Sequence, residues 1–337
     1  MAHSTSIRSL LLLLAVALLL PGCTNDPLSY PNTMQIVPSN LPMLDGNAYY
    51  ELWFSYPPNS ASIKNPTPDH SASSYFSVGR FRIDAFGNIV GANGGSAVFA
   101  IPNGYNPSLL IDAILTVQNA DSASTEPGPI LLAGPFSGTT SQGRDTLVAN
   151  DGEAFGSRLY AADSGRMVLD APTSGAPGDS ARGIWFADIR RDANDEITQI
   201  LPGLTFHAMP LNLDNSAWRY QAWLVRTGTT GKEYIPLGSF SAPNAPDANG
   251  AGPGAGPNLS NAYSLPGEDF VGGSTPRALN DGTYGVVISV DPTNVVLKRP
   301  LLTLLRRDLI ETGTPARRTI SLGNQPERPK LEVVIDR

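Results

Sequence analysis

The chain has 337 residues, of which 33 are Gly and 30 are Pro, and only 16% are charged. That balance points to many turns and few long solvated helices, because exposed helical faces normally draw on Lys, Glu and Arg. A formal net charge of −7 without a clustered basic stripe argues against a nucleic-acid partner, and a single cysteine leaves no disulfide framework and no cysteine-based metal site.

In chain order, the first element is a leader. Arg8 precedes an unbroken apolar run from Leu10 to Leu20, which suits the core of a signal peptide and is too short for the ~20 residues that span a bilayer. The run continues into Leu20-Pro21-Gly22-Cys23, with a small residue before the chain's one thiol. Cys23 is thereby placed to take a diacylglycerol through a thioether, with a further acyl chain on the new N-terminus. One acyl chain binds a membrane marginally, at ~0.8 kcal/mol per buried CH2, so two or three make a stable anchor. Residues 1–22 therefore read as a lipoprotein signal peptide, Cys23 as the lipidation site and membrane lipid as its partner. Thr24 stands where aspartate would favour inner-membrane retention, which inclines the location to the outer membrane.

Residues 23–40 read as a tether rich in Pro and Asn, with a first strand at Met34–Val37. Strand-length runs follow: the aromatic-rich Ala48–Phe54, a hairpin of Tyr75–Ala85 and Asn88–Val90 turning at Phe86-Gly87, and the apolar Ser108–Gln118. Ser137–Gly156, rich in Gly, Ser and Asp, marks a boundary. Strands resume at Arg158–Ala161, Arg166–Asp170, Gly183–Ile189 and Ile197–Leu201, the last two flanking the acidic turn Asp192–Glu196. Ala242–Asn261 is low-complexity Gly, Ala, Pro and Asn and reads as a long surface loop outside any core. Leu301–Ile310 fits a short helix or a strand equally.

An internal repeat organises these runs. Leu41-Pro42-Met43 and Tyr50-Glu51-Leu52-Trp53-Phe54 are echoed by Met209-Pro210-Leu211 and Tyr220-Gln221-Ala222-Trp223-Leu224. Val78-Gly79-Arg80-Phe81 is echoed by Leu237-Gly238-Ser239-Phe240. Leu115–Gln118 with Pro129-Ile130-Leu131-Leu132 is echoed by Val287–Val290 with Pro300-Leu301-Leu302. Blocks recurring in one order predict a duplicated unit. The expected fold is all-β, with two tandem antiparallel β-sandwiches of Ig-like or Greek-key type at 41–140 and 157–310, and a tail at 311–337 that can add a strand. Trp53, Trp185 and Trp223 are expected in the core.

The same blocks carry a family resemblance. The Leu-Pro segment, the Tyr-x-x-Trp and Gly-x-Phe strands and the late apolar strand resemble the extracytoplasmic domain of anti-sigma-K-type factors. Gly183-Ile-Trp-Phe186, Pro266-Gly-Glu-Asp-Phe270 and Val286-Val-Ile-Ser-Val290 of the second copy are similar to lipoproteins labelled anti-sigma-factor-like, of undetermined function. An anti-sigma factor of that type also carries a cytoplasmic helical segment and a membrane-spanning helix, and this sequence shows neither. The resemblance implies a fold, and an envelope sensory role only by analogy.

Chemistry-bearing patterns are sparse. His70 and His207 are isolated, without metal-ligand spacing. There is no G-x-S-x-G elbow, and Gly228-Thr-Thr-Gly-Lys232 has the wrong glycine spacing for a phosphate loop and reads as a hairpin turn. Two carboxylate groups are candidates for calcium, which wants six to eight oxygens: Glu268 with Asp269, and Asp192 with Asp195 and Glu196. Neither has EF-hand spacing. Trp218, Tyr263 and Tyr105 are the aromatics to inspect for glycan stacking. The sequence thus reads as a non-enzymatic, lipid-anchored envelope module without a catalytic residue or a cofactor beyond calcium at Glu268 and Asp269. Its partner is an envelope protein or glycan, with a glycan-binding module or envelope enzyme as the rival reading. Any ligand is expected at the loops of the second copy, Ala242–Asn261 and Gly267–Asp269.

Overall fold

The computed structural model describes residues 28–30, 34–56, 74–102, 110–119, 126–136, 142–148, 163–206, 217–229, 231–271, 277–325 and 328–336. The protein is all-β, as its turn-rich composition predicts, and every strand pairing is antiparallel. Among the described residues no helix is long and apolar enough to cross a membrane.

The first half supplies β1 (Leu28–Tyr30), β2 (Met34–Ser39), β3 (Ala48–Tyr56), β4 (Ser74–Ile83), β5 (Ile89–Gly91), β6 (Asp112–Asn119), β7 (Ile130–Pro135) and β8 (Gln142–Val148). The second supplies β9 (Ser164–Leu169), β10 (Ile184–Trp185), β11 (Ala187–Arg191), β12 (Ile197–Pro202), β13 (Leu204–Thr205), β14 (Trp218–Gly228), β15 (Gly231–Phe240), β16 (Gly267–Glu268), β17 (Tyr284–Pro292), β18 (Leu302–Arg307), β19 (Ile320–Asn324) and β20 (Lys330–Asp336). One sheet runs β1-β2-β20-β8-β7-β6-β3-β4-β5. The other runs β15-β14-β17-β18-β19-β9-β10-β16, with β13 beside β9, and β11 and β12 form a separate two-stranded arm.

The repeat is realised strand by strand. Tyr50 on β3 faces Phe81 on β4, and Tyr220 on β14 faces Phe240 on β15. Two residues further along, each ladder carries a bulge, between Leu52 and Trp53 in one copy and Ala222 and Trp223 in the other, so that Val78 and Leu237 are the extra residues. A second pair of bulges sits between Leu115 and Thr116 and between Ile288 and Ser289. Because Trp53 faces Ile114 and Trp223 faces Val287, Leu115 corresponds to Ile288. The third repeated block is therefore shifted one residue from the alignment of short motifs, which had only undifferentiated aliphatics to guide it.

Trp53 and Trp223 lie on the opposite strand face from the main core, to which Trp218 belongs. Tyr50, Leu52 and Phe54 alternate into a large cluster, whereas Trp53 joins Ile114 and Ala133 in a small one. Both Trp53 and Trp223 are buried, 2% and 3% exposed.

The first half does not close within 41–140. Its sheet takes β2 from before that range, and between β2 and β8 it takes β20, the last of the described strands. In the second sheet the equivalent position beside β19 is held by β9, the strand that opens that half. The sequences agree: Met167-Val168-Leu169 ends β9 and is followed by Asp170, and Val333-Val334-Ile335-Asp336 ends β20. Leu331, Val333 and Ile335 join the same buried cluster as Met167 and Leu169, so the apolar cores of the two halves are continuous. The tail 311–337 contributes two strands, one to each sheet, and Leu301–Ile310 resolves as the strand β18.

Candidate functional site

The loops at one end of the second sheet converge on a group of acidic side chains. The structure corrects the expectation that Ala242–Asn261 lies outside any core. Its turns are fastened by backbone bonds, Gly250 N–H to Asp247 O at 3.2 Å and Gly252 N–H to Asn249 O at 3.0 Å, and it is tied to the body by Ala248 N–H to Ser239 O at 2.7 Å and Asn258 N–H to Thr173 O at 2.9 Å. Ala251 is buried in a second cluster with Val168, Trp185 and Leu265. Small residues permit this approach: a Cβ on Gly252 would stand 2.3 Å from Glu268 Cγ, and one on Gly256 would stand 2.6 Å from Thr173 O. Low complexity here serves a coil laid close on a sheet.

Asp269, one of the two carboxylates singled out from the sequence, is fully buried. Its Oδ2 accepts from the Thr173 backbone N–H at 2.9 Å and from the Thr173 hydroxyl, and its Oδ1 accepts from the Trp185 indole N–H at 2.8 Å. Burial raises its pKa while those three donors lower it. Both oxygens thus face protons, which makes Asp269 a staple joining β16, β10 and the turn after β9. Among the described residues no three His, Cys, Asp or Glu side chains gather closely enough to hold a metal ion.

Glu268 is also buried, at 5% exposure, and it neighbours Asp247. Asp247 accepts from the Gly267 N–H at 2.9 Å and abuts Gly238, whose φ of +120° and crowded Cβ position admit only glycine. Burial pushes both carboxyls up to about 7, and in Glu268 the Asp247 charge adds to it. Glu268 and Asp269 thus have different surroundings: Glu268 is disfavoured as an anion by burial and by the charges of Asp247 and Asp269, whereas Asp269 is hydrogen-bonded to a tryptophan and a threonine.

A fourth buried acid, Asp170, directly follows β9. It accepts from the Tyr263 hydroxyl and from Arg317 Nε at 2.9 Å, and Tyr263 sets its ring edge-on to Trp185 at 5.5 Å. Arg317 and Tyr263 border an open groove of about 920 Å3, walled by Pro172, Ala176, Ala262 and Leu265 and by Ile197 and Ile200 of the β11–β12 arm. Sequence reading missed Asp170, Asp247 and Arg317, since no short spacing joins residues that lie on different sheets and loops.

The other acidic turn is consumed locally. Asp192 Oδ1 accepts from the N–H groups of Asn194 and Glu196, each at 2.9 Å, and Asp195 pairs with Arg318 at 2.9 Å. Of the inspected aromatics, Trp218 is buried, Tyr263 is partly buried at the groove, and Tyr105 lies outside the described residues, as do Cys23, the leader, His70 and His207. Comparison with protein-family models, with curated proteins and with solved structures finds no match.

Proposed function

We propose that the chain is a non-enzymatic, lipid-anchored binding module of the cell envelope, held at the outer membrane by acylated Cys23 and presenting the loop end of its second sheet to a partner. The observation that carries the anchoring is the run Leu10–Leu20 ending in Gly22-Cys23, with the thiol occurring once in the chain. Support for a binding role comes from the use of the acidic residues. Asp269 and Asp170 are spent on fixing loops, which is the work of a scaffold that holds a recognition surface steady. The motifs behind the anti-sigma resemblance, Tyr-x-x-Trp and Gly-x-Phe, fall on core and bulge positions of the two sheets, so they speak to fold and carry no sigma-binding role.

Labelling of growing cells with radioactive palmitate, followed by fractionation, tests the anchor. The parent chain should carry label and sediment with outer membranes. Cys23→Ser should lose the label and leave that fraction. A parent chain without lipid label refutes the reading.

A further inference from the structure

We propose that the groove bordered by Arg317 and the β11–β12 arm binds an acidic peptide segment, gripping an Asp or Glu carboxylate at Arg317 and seating an adjacent aliphatic side chain on Ile197, Ile200 and Leu265. This deepens the binding-module reading above and rests on it.

Arg317 is built for such a contact. Its backbone is held in the left-handed region at φ +57°, a conformation that a side-chain-bearing residue adopts at a cost. The surroundings impose it: Arg317 N–H donates to Leu169 O at 2.9 Å, and Arg191 Nη2 donates to Arg317 O at 3.2 Å. The guanidinium is then fixed by Nε on the fully buried Asp170. Its terminal nitrogens donate to no described residue, and the side chain is 48% exposed. A planar fork held at one edge and open at the other matches a carboxylate better than a lysine would.

The apolar half of the groove is equally specific. Residues three apart on a regular strand point to opposite faces. Here Ile200 faces Ile189 and Ile197 faces Arg191, and the bulge absorbs Thr198, so both isoleucines share one face of the arm. Each is more than a third exposed, at 37% and 38%. The arm is braced by Arg318 to Asp195 at 2.9 Å and by Arg191 to Asp195 O.

Open walls in which Ser180 and Ser260 interrupt the apolar contacts suit a peptide with mixed side chains. A hydrocarbon tail would need an enclosed apolar channel. A glycan would need a freely exposed ring, whereas Tyr263, the one aromatic residue lining the groove, is partly buried, packs against Trp185 and spends its hydroxyl on Asp170.

The test titrates the full chain with fluorescein-labelled acetyl-Gly-Leu-Glu-Val-Gly-amide, its Gln counterpart and an oligogalacturonide, read by anisotropy. The Glu peptide should bind at least roughly tenfold more tightly than the Gln peptide. Arg317→Lys should erase that preference, and the exposed double variant Ile197→Ser with Ile200→Ser should weaken the Glu peptide at least roughly tenfold at unchanged melting temperature. Equal binding of the two peptides, no effect of the isoleucine variant, or binding of the oligogalacturonide alone overturns the proposal. Palmitate labelling is independent of this titration: a failed titration with lipid label intact removes the peptide site alone, and lost label removes the anchor alone.

Discussion

Trp53 and Trp223 make the same bond in the two halves of the chain. Each indole N–H donates to a hydroxyl two residues beyond the residue it faces on the neighbouring strand: Thr116 Oγ1 at 3.0 Å, beyond Ile114, and Ser289 Oγ at 2.9 Å, beyond Val287. A bulge after Leu115 and after Ile288 accompanies each pair. The duplication thus extends to a buried hydrogen bond that no short motif records.

Trp53→Ala and Trp223→Ala should each cost ~3–5 kcal/mol through lost burial and the cavity left behind. Thr116→Val and Ser289→Ala, which leave a buried indole N–H without its acceptor, should cost about 1–3 kcal/mol. Urea denaturation of the four variants checks both ranges, and similar losses within each pair are expected if the copies are equivalent.

Asp269→Ala should destabilise more than Glu268→Gln, because it strands the Thr173 and Trp185 donors together. A loss of roughly 3 kcal/mol or more is expected for a buried acceptor serving several donors. Trp185 fluorescence should shift in the folded Asp269→Asn variant, whose amide cannot accept from all three.

The protein should lose stability as pH rises. Asp247 and Glu268 are pushed up to about 7 by burial, from 3.8 and 4.5, so the folded state prefers their neutral forms. Their contribution is fully present below about pH 4 and is lost as pH climbs through about 7. Asp291, raised by burial to about 6, acts in the same sense. Urea midpoints measured from pH 5 to 8 should fall, and the double variant Asp247→Asn with Glu268→Gln should flatten the slope.

Deleting residues 328–337 should destabilise the first sheet, although those residues lie at the far end of the sequence. The cut uncovers the edges of β2 and β8 and removes Leu331, Val333 and Ile335 from the core. Hydrogen exchange should show lost protection along β2 and β8, with β14 and β17 less affected.

The sequence made the all-β class and the pairing of Tyr50 with Tyr220 legible because aromatic strands and glycine partners are distinctive. It did not reveal the placement of β20, since Val333-Val334-Ile335-Asp336 is too short and too ordinary to be recognised as the counterpart of Met167-Val168-Leu169-Asp170. The groove was hidden for another reason. Asp170, Tyr263 and Arg317 are brought together by three separate connections of the second sheet, and their meeting depends on tertiary folding.

A ribosome makes Met34 long before Lys330, yet in the folded protein the two strands that begin there are neighbours. The N-terminal sheet therefore waits, with β1 and β2 unjoined to its other strands, until the seven-residue strand β20 has been synthesised. Its assembly is thus tied to the completion of the second half, and a chain stopped before Lys330 is left with β2 and β8 as two unpaired edges.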